Sequence, residues 1–271
     1  MRALELLDSW PVESFAAGVL GGDGVLGTRG DEARVFRWAS VTKMLTACAV
    51  LVAAEEGILD LDEPAGPPGS TVRHLLAHAS GLPFEGETPI ARPGARRIYS
   101  NAGFDVLGRL VSDRAGMPFA EYLAAAVLEP LEMRATELRG SPAKDARGPL
   151  GDLLLFAREL LAPRLVASET LAEATSVAFP GLSGVLPGFG RQEPMDWGLG
   201  FELKDAKSAH WTGSRSSART FGHFGGSGTF LWIDPDAGIA LACLTDREFG
   251  GWALEAWPAL SDAVLDELSP R

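Results

Sequence analysis

The chain predicts a mixed α/β (α+β) fold in which one antiparallel sheet is built from both termini, flanked by helices, around an all-α inserted region. Two observations carry that expectation. Short apolar runs split by tight turns lie before Ser40 and again after Pro194, whereas helical patterns punctuated by Pro and Gly fill the stretch from Leu59 to Pro194. The implied division is a discontinuous sheet domain over 1–60 plus 190–271, with a mostly α-helical region over 61–189.

Phe15 to Leu20 and Val25 to Thr28 flank Gly21-Gly22-Asp23-Gly24, a hairpin signal because these residues accept the positive φ of tight turns. Ala33 to Trp38 reads as a third extended piece, and the run Met44 to Ala54 is apolar on every side, as a buried helix requires. Helices are expected over Thr71 to His78, Ala102 to Ala115, Phe119 to Val127 and Leu150 to Leu161. Strand character returns at Trp197 to Leu203, Thr229 to Ile233 and Gly238 to Thr245, the last two joined by the turn Asp234-Pro235-Asp236-Ala237. Thr212 to Ser217 reads as a loop, and an amphipathic helix from about Trp252 to Leu268 follows the last strand.

With 24 Lys and Arg against 36 Asp and Glu, the 271-residue chain carries a formal charge of −12, which repels nucleic acid and anionic membranes. No apolar run has the length of a bilayer span, and acids interrupt the N-terminal leucines where an export signal would need a continuous apolar stretch. Cys48 and Cys243 both sit in apolar segments and read as buried thiols of a reducing compartment. The expected location is cytoplasmic.

Ser40-Val41-Thr42-Lys43 holds the most chemical information. Three residues apart on a helix, a hydroxyl and an amine point the same way, and a helix N-terminus favours developing negative charge. Alone, the tetrapeptide reads as an N-cap serine followed by a solvated lysine. Tyr99-Ser100-Asn101 opens the next helix and by itself reads as a packed aromatic with Asn101 as the N-cap. His223-Phe224-Gly225-Gly226 is a glycine-rich strand entry, either a sheet-edge bulge or a place where a ligand approaches backbone N–H groups. His74 and His78 lie four apart without a third ligand nearby, so a metal is not expected, and Arg96-Arg97 reads as a solvated pair.

In this order and spacing, Ser40-Val41-Thr42-Lys43, Tyr99-Ser100-Asn101 and His223-Phe224-Gly225 resemble the motifs of the penicillin-recognising serine hydrolases, the family of class C β-lactamases, D-alanyl-D-alanine carboxypeptidases and related esterases. Gly57 to Pro64 and Thr71 to Leu82 are similar to the family as well, the latter giving His78 a structural role, while Glu132 to Pro194 is least like it. The resemblance implies a β-lactamase/transpeptidase-like fold with Ser40 as acylated nucleophile. It makes Lys43 and Tyr99 the proton-handling partners, leaving open which is the base. Asn101, His223, Phe224 and Gly225 would meet substrate, and the N–H groups of Ser40 and Gly226 would form the oxyanion hole. No cofactor is implied; the partner is a small ester, amide or lactam.

Two departures bear on substrate. The family usually has Thr or Ser where this chain has Phe224, so a hydroxyl that helps hold a substrate carboxylate is missing. Lactamases and carboxypeptidases also act outside the cytoplasmic membrane, and the chain is short for the family, implying a trimmed helical region and an open cleft. These points favour an esterase or small amide hydrolase. The alternatives are a β-lactamase or D-Ala-D-Ala carboxypeptidase, and a non-catalytic ligand-binding protein of the same fold.

Overall fold

The computed structural model describes residues 1–269. A 3₁₀ turn over Ala3–Ser9 leads into the hairpin of β1 (Phe15–Gly21) and β2 (Gly24–Gly30), then β3 (Phe36–Arg37) and helix α1 (Thr42–Glu55). The middle of the chain forms α2 (Val72–Leu76), α3 (Asn101–Ala115), α4 (Phe119–Leu123), β4 (Glu137–Leu138), β5 (Ala146–Gly148), α5 (Leu150–Leu161) and α6 (Ser168–Ala174). A small hairpin of β6 (Gly184–Leu186) and β7 (Gly190–Gln192) comes next. The chain then runs through β8 (Glu202–Leu203), β9 (Phe221–Gly225), β10 (Thr229–Asp234), β11 (Ile239–Thr245) and α7 (Gly251–Leu268).

Six strands make one sheet in the order β2-β1-β11-β10-β9-β8, each neighbouring pair antiparallel. β1 pairs with β11 from Phe15↔Thr245 to Gly21↔Ile239, so the sheet is indeed built from both termini. Alternation along the strands divides the interior in two. Leu231, Ile233, Ala240 and Leu244 face a core shared with α1 and α5, whereas Phe230, Trp232, Leu241 and Cys243 face a second core under α7. Covered on both faces, β10 and β11 are buried throughout, which is why their sequences are nearly continuous apolar runs. Cys48 and Cys243 are free and buried, and burial pushes both thiols up.

Local geometry trims several expected elements. From Ala33 to Trp38 only Phe36 and Arg37 pair, with β5, because the Asp31 carboxylate and carbonyl turn the chain by accepting the Arg34 N–H. Between Trp197 and Leu203 only β8 is strand. Gly200 at φ +91° closes a turn in which the Gly198 N–H donates to Phe201, and a Cβ at Gly200 would collide with Ala47 of α1. The helix expected over Thr71 to His78 is capped by Thr71 and ends before His78, whose φ is 54°. The predicted Phe119–Val127 helix is α4 running on into a π turn over Ala124–Leu128.

Candidate active site

Helix α1 is buried from Thr42 to Ala53, so a lysine in its first turn is carried into the interior. Ser40 lies just before it, in a 3₁₀ turn over Ala39–Val41 rather than in the helix proper. Ala39 takes φ 44°, a region that costs a non-glycine residue free energy and is tolerated where surrounding structure enforces it. The enforcement is visible: Ser227 Oγ donates to the Arg37 carbonyl at 2.8 Å, and Thr229 Oγ1 donates to the Trp38 carbonyl at 2.9 Å. Gly225 permits this approach, since a Cβ there would stand 2.4 Å from the Trp38 carbonyl oxygen. The end of β9 is thus clamped against the serine turn, while a Cβ at exposed Gly226 would meet nothing within 4 Å.

Lys43 is fully buried, and its Nζ has three acceptors: Asn101 Oδ1 at 2.6 Å, the Ala143 carbonyl at 3.0 Å and Ser40 Oγ at 3.4 Å. None is a carboxylate. Burial therefore dominates and lowers the amine to about 7, with Asp105 and Glu85 opposing the shift from a distance and Lys144 adding to it. Thr46 Oγ1 donates to Pro142 O and Thr42 Oγ1 accepts from Ala146 N, which lays the 142–146 stretch along α1 and aims the Ala143 carbonyl at the amine. Asn101 is oriented by Glu85 Oε1, 2.9 Å from its Nδ2, and Lys144 holds the same carboxylate oxygen at 2.9 Å.

Tyr99 sits over Lys43, with Nζ 4.7 Å from the ring centroid. Backbone pins fix it on either side: Ile98 N–H donates to the His78 carbonyl, Ser100 N–H donates to His78 Nδ1, and Ser100 Oγ donates to Pro83 O. Ser100, not Asn101, caps α3, accepting from Gly103 N–H and freeing the Asn101 side chain for Lys43. Burial raises the Tyr99 phenol, and a hydrogen bond with Ser40 works the other way. His223 Nε2 lies 3.3 Å from the Tyr99 hydroxyl, and its Nδ1 is 2.6 Å from the Phe224 carbonyl. Burial, and then Lys43, lower His223 to about 3, so the ring is neutral. A carbonyl only accepts, so Nδ1 carries the proton, Nε2 accepts from Tyr99, and the phenol oxygen keeps its lone pairs for Ser40.

The fold thus brings Ser40, Lys43, Tyr99, Asn101 and His223 together, with Gly225 and Gly226 at the rim. Phe224 stands apart: its ring packs in the aromatic core under α7, centroids 5.0 Å from Phe249 and 5.7 Å from Trp257. His74 and His78 serve different partners, Thr71 Oγ1 and the Ser100 N–H. Arg97 corrects the expectation of a solvated pair. It is buried, donates to the carbonyls of Met195, Ala77, Ala178 and Phe179, and is lowered by burial to about 10. Glu85 and the Ala143 carbonyl escaped sequence reasoning; a backbone acceptor has no side-chain signature.

A helix-flanked antiparallel sheet with a serine and a carboxylate-free buried lysine at one strand end defines a serine hydrolase architecture. The sequence pattern described as Beta-lactamase matches residues 12–265, and the chain belongs to that family of serine hydrolases, whose members act on small molecules. It is similar to a beta-lactamase of Mycobacterium bovis, a solved structure 57% identical that superposes with a TM-score of 0.97 over 98% of this chain and 99% of that one. Penicillin-binding protein 4* of Bacillus subtilis is 27% identical over 137 residues, 38% of this chain and 30% of that protein. The D-alanyl-D-alanine-carboxypeptidase/endopeptidase AmpH of Escherichia coli is 26% identical over 145 residues, 40% and 38%. The chain therefore matches well under half the length of these two curated relatives. Among the described residues no helix is long and apolar enough to cross a membrane.

Proposed function

We propose that the protein hydrolyses small esters or amides through an acyl-enzyme on Ser40. The observation that carries this reading is the Lys43 amine, buried without a carboxylate, lowered to about 7 and 3.4 Å from Ser40 Oγ. Near neutral pH a large share of it is free base, ready to take the serine proton. Ser40 Oγ forms a bond to the substrate carbonyl carbon while its proton passes to Lys43. Tyr99, still a phenol at this pH, turns its O–H from His223 Nε2 to the leaving group, gives up the proton as the carbon–heteroatom bond breaks, and recovers one from Lys43. Water then attacks the acyl carbon by the same route and releases the acid. The N–H groups of Ser40 and Gly226 stabilise the oxyanion in both steps.

Esterase preference is supported by position 224, where Phe supplies no hydroxyl for a substrate carboxylate and packs under α7 instead of facing the site. The β-lactamase reading has its own support in the 57% identical Mycobacterium bovis protein described by that name. Comparing kcat/KM on p-nitrophenyl esters with that on nitrocefin tests the choice. Faster ester turnover is expected, and equal or faster nitrocefin hydrolysis would replace the first reading by the second.

A further inference from the structure

Most large apolar side chains of this protein are inside. The three most exposed among the described residues are Val185 at 61%, Ile90 at 56% and Phe84 at 54%, and all three line one cleft of about 410 Å³. Ile98, Pro187 and the Tyr99 ring complete its apolar lining. Isolated exposed apolar residues need no explanation, but their concentration in one concavity does. Phe84 stacks on Tyr99 with centroids 6.0 Å apart and accepts the Asn101 N–H at its carbonyl, so one wall is fixed to the residues that handle the proton. The opposite wall is the β6–β7 hairpin, held where Arg97 N–H donates to Ser183 and a Cβ at Gly184 would stand 2.8 Å from the Arg97 carbonyl. Of the three arginines in the lining, Arg97 is committed to carbonyls and Arg191 to Glu193, while Arg96 is exposed.

We infer that this cleft binds an apolar group of the substrate, so that the enzyme selects esters or amides carrying a medium-length aliphatic or aryl substituent. The inference rests on the proposed Ser40 chemistry, because Tyr99 is what joins the cleft to the reacting bond. Its volume falls within the roughly 300–1,000 Å³ of small-molecule sites, and two of its three arginines are engaged elsewhere. Each methylene that becomes fully buried improves binding roughly fourfold, so a chain-length series reads the cleft directly.

Two series test the inference: p-nitrophenyl acetate, butyrate and hexanoate vary the acyl side, and phenyl, hexyl and naphthyl acetates vary the leaving group. In one of them kcat/KM should rise at least tenfold with apolar size, which identifies the side that occupies the cleft. Ile90→Asp and Val185→Asp, both at exposed positions, should reduce that rise at least fivefold, whereas Val25→Asp, exposed on β2 away from the cleft, should leave it intact. Ser40→Ala protein, which forms no acyl-enzyme, should bind hexanoate or hexanol more tightly than acetate or methanol by calorimetry. Absence of fluorophosphonate labelling at Ser40 in the wild-type protein, with that size preference retained, refutes the catalytic reading alone. Flat dependence in both series and in binding, or a rise that survives both cleft variants, overturns the inference and leaves the patch as a surface for another macromolecule.

Discussion

Lys43 and Lys207 are both buried, yet their neighbours make them different chemical objects. Lys207 Nζ pairs with Glu202 Oε1 at 2.9 Å, and His210 Nε2 and Trp211 Nε1 donate to the other carboxylate oxygen at 2.8 and 3.0 Å. Burial alone would raise that carboxyl, but His210 and Lys207 outweigh it and hold Glu202 at about 2. Lys43 has amide, carbonyl and hydroxyl partners instead, and burial lowers its amine with no carboxylate in contact to oppose it. Lys207 ties the loop before β9 to β8 through Glu202; Lys43, lowered by burial, has the free amine that the proposed mechanism asks of a base. Burial sets the stakes, and a single carboxylate decides whether the outcome is structure or reactivity.

Removing the nucleophile gives the sharpest test. Ser40→Ala should abolish covalent labelling by a fluorophosphonate, read by intact mass on protein whose circular dichroism is unchanged, and retained labelling would end the assignment. Next in size, Lys207→Met should cost about 3–5 kcal/mol in urea unfolding, because it strands a buried carboxylate. Folded Lys207→Met protein should still label at Ser40. Lys43→Met should cost less than half that stability, and a larger cost would erase the distinction between the two lysines.

Activity reverses the ranking. Lys43→Met and Tyr99→Phe should each lower ester turnover by about a hundredfold or more, and a near-wild-type rate would remove that residue from the mechanism. For the wild type, kcat/KM should climb about tenfold per pH unit and level off above about 7, as Lys43 loses its proton. The stability sign agrees: the folded value lies below the usual 10.5, so the unfolded chain binds more protons between about 7 and 10.5, and this group's contribution to stability rises with pH across that window. A profile without a limb near 7 would point to Tyr99 as the base. The smallest effect belongs to Glu85→Gln. Glu85 helps hold the Lys43 value up, so its neutralisation should move the limb to lower pH by roughly half a unit, and a shift upward would contradict the electrostatic account.

Features with local periodicity were legible from sequence, including the glycine hairpin of β1 and β2, the apolar runs of β10 and β11, and the all-round apolar α1 that explains why Lys43 is buried. Three motifs far apart in the chain named residues that the fold gathers within hydrogen-bonding distance. What stayed hidden depends on tertiary partners. Arg97 looks like surface charge until four carbonyls surround it, and Asn101 looks like a cap until Ser100 takes that role. Trp197 to Leu203 has strand-like composition, but the turn at Gly200 follows from contact with Ala47.

The clamp on the serine turn also sets a timetable. Ser227 and Thr229 hold carbonyls 190 and 191 positions earlier in the chain, and a ribosome adding about 5–20 residues per second needs roughly 10–40 s to make that stretch. During that interval the emerging N-terminal hairpin has an open edge where β11 will sit, and Ala39 has nothing to hold its positive φ. The nascent chain carries Ser40 long before the turn around it can be held, and the proposed site is complete only once β9 and β10 are in place.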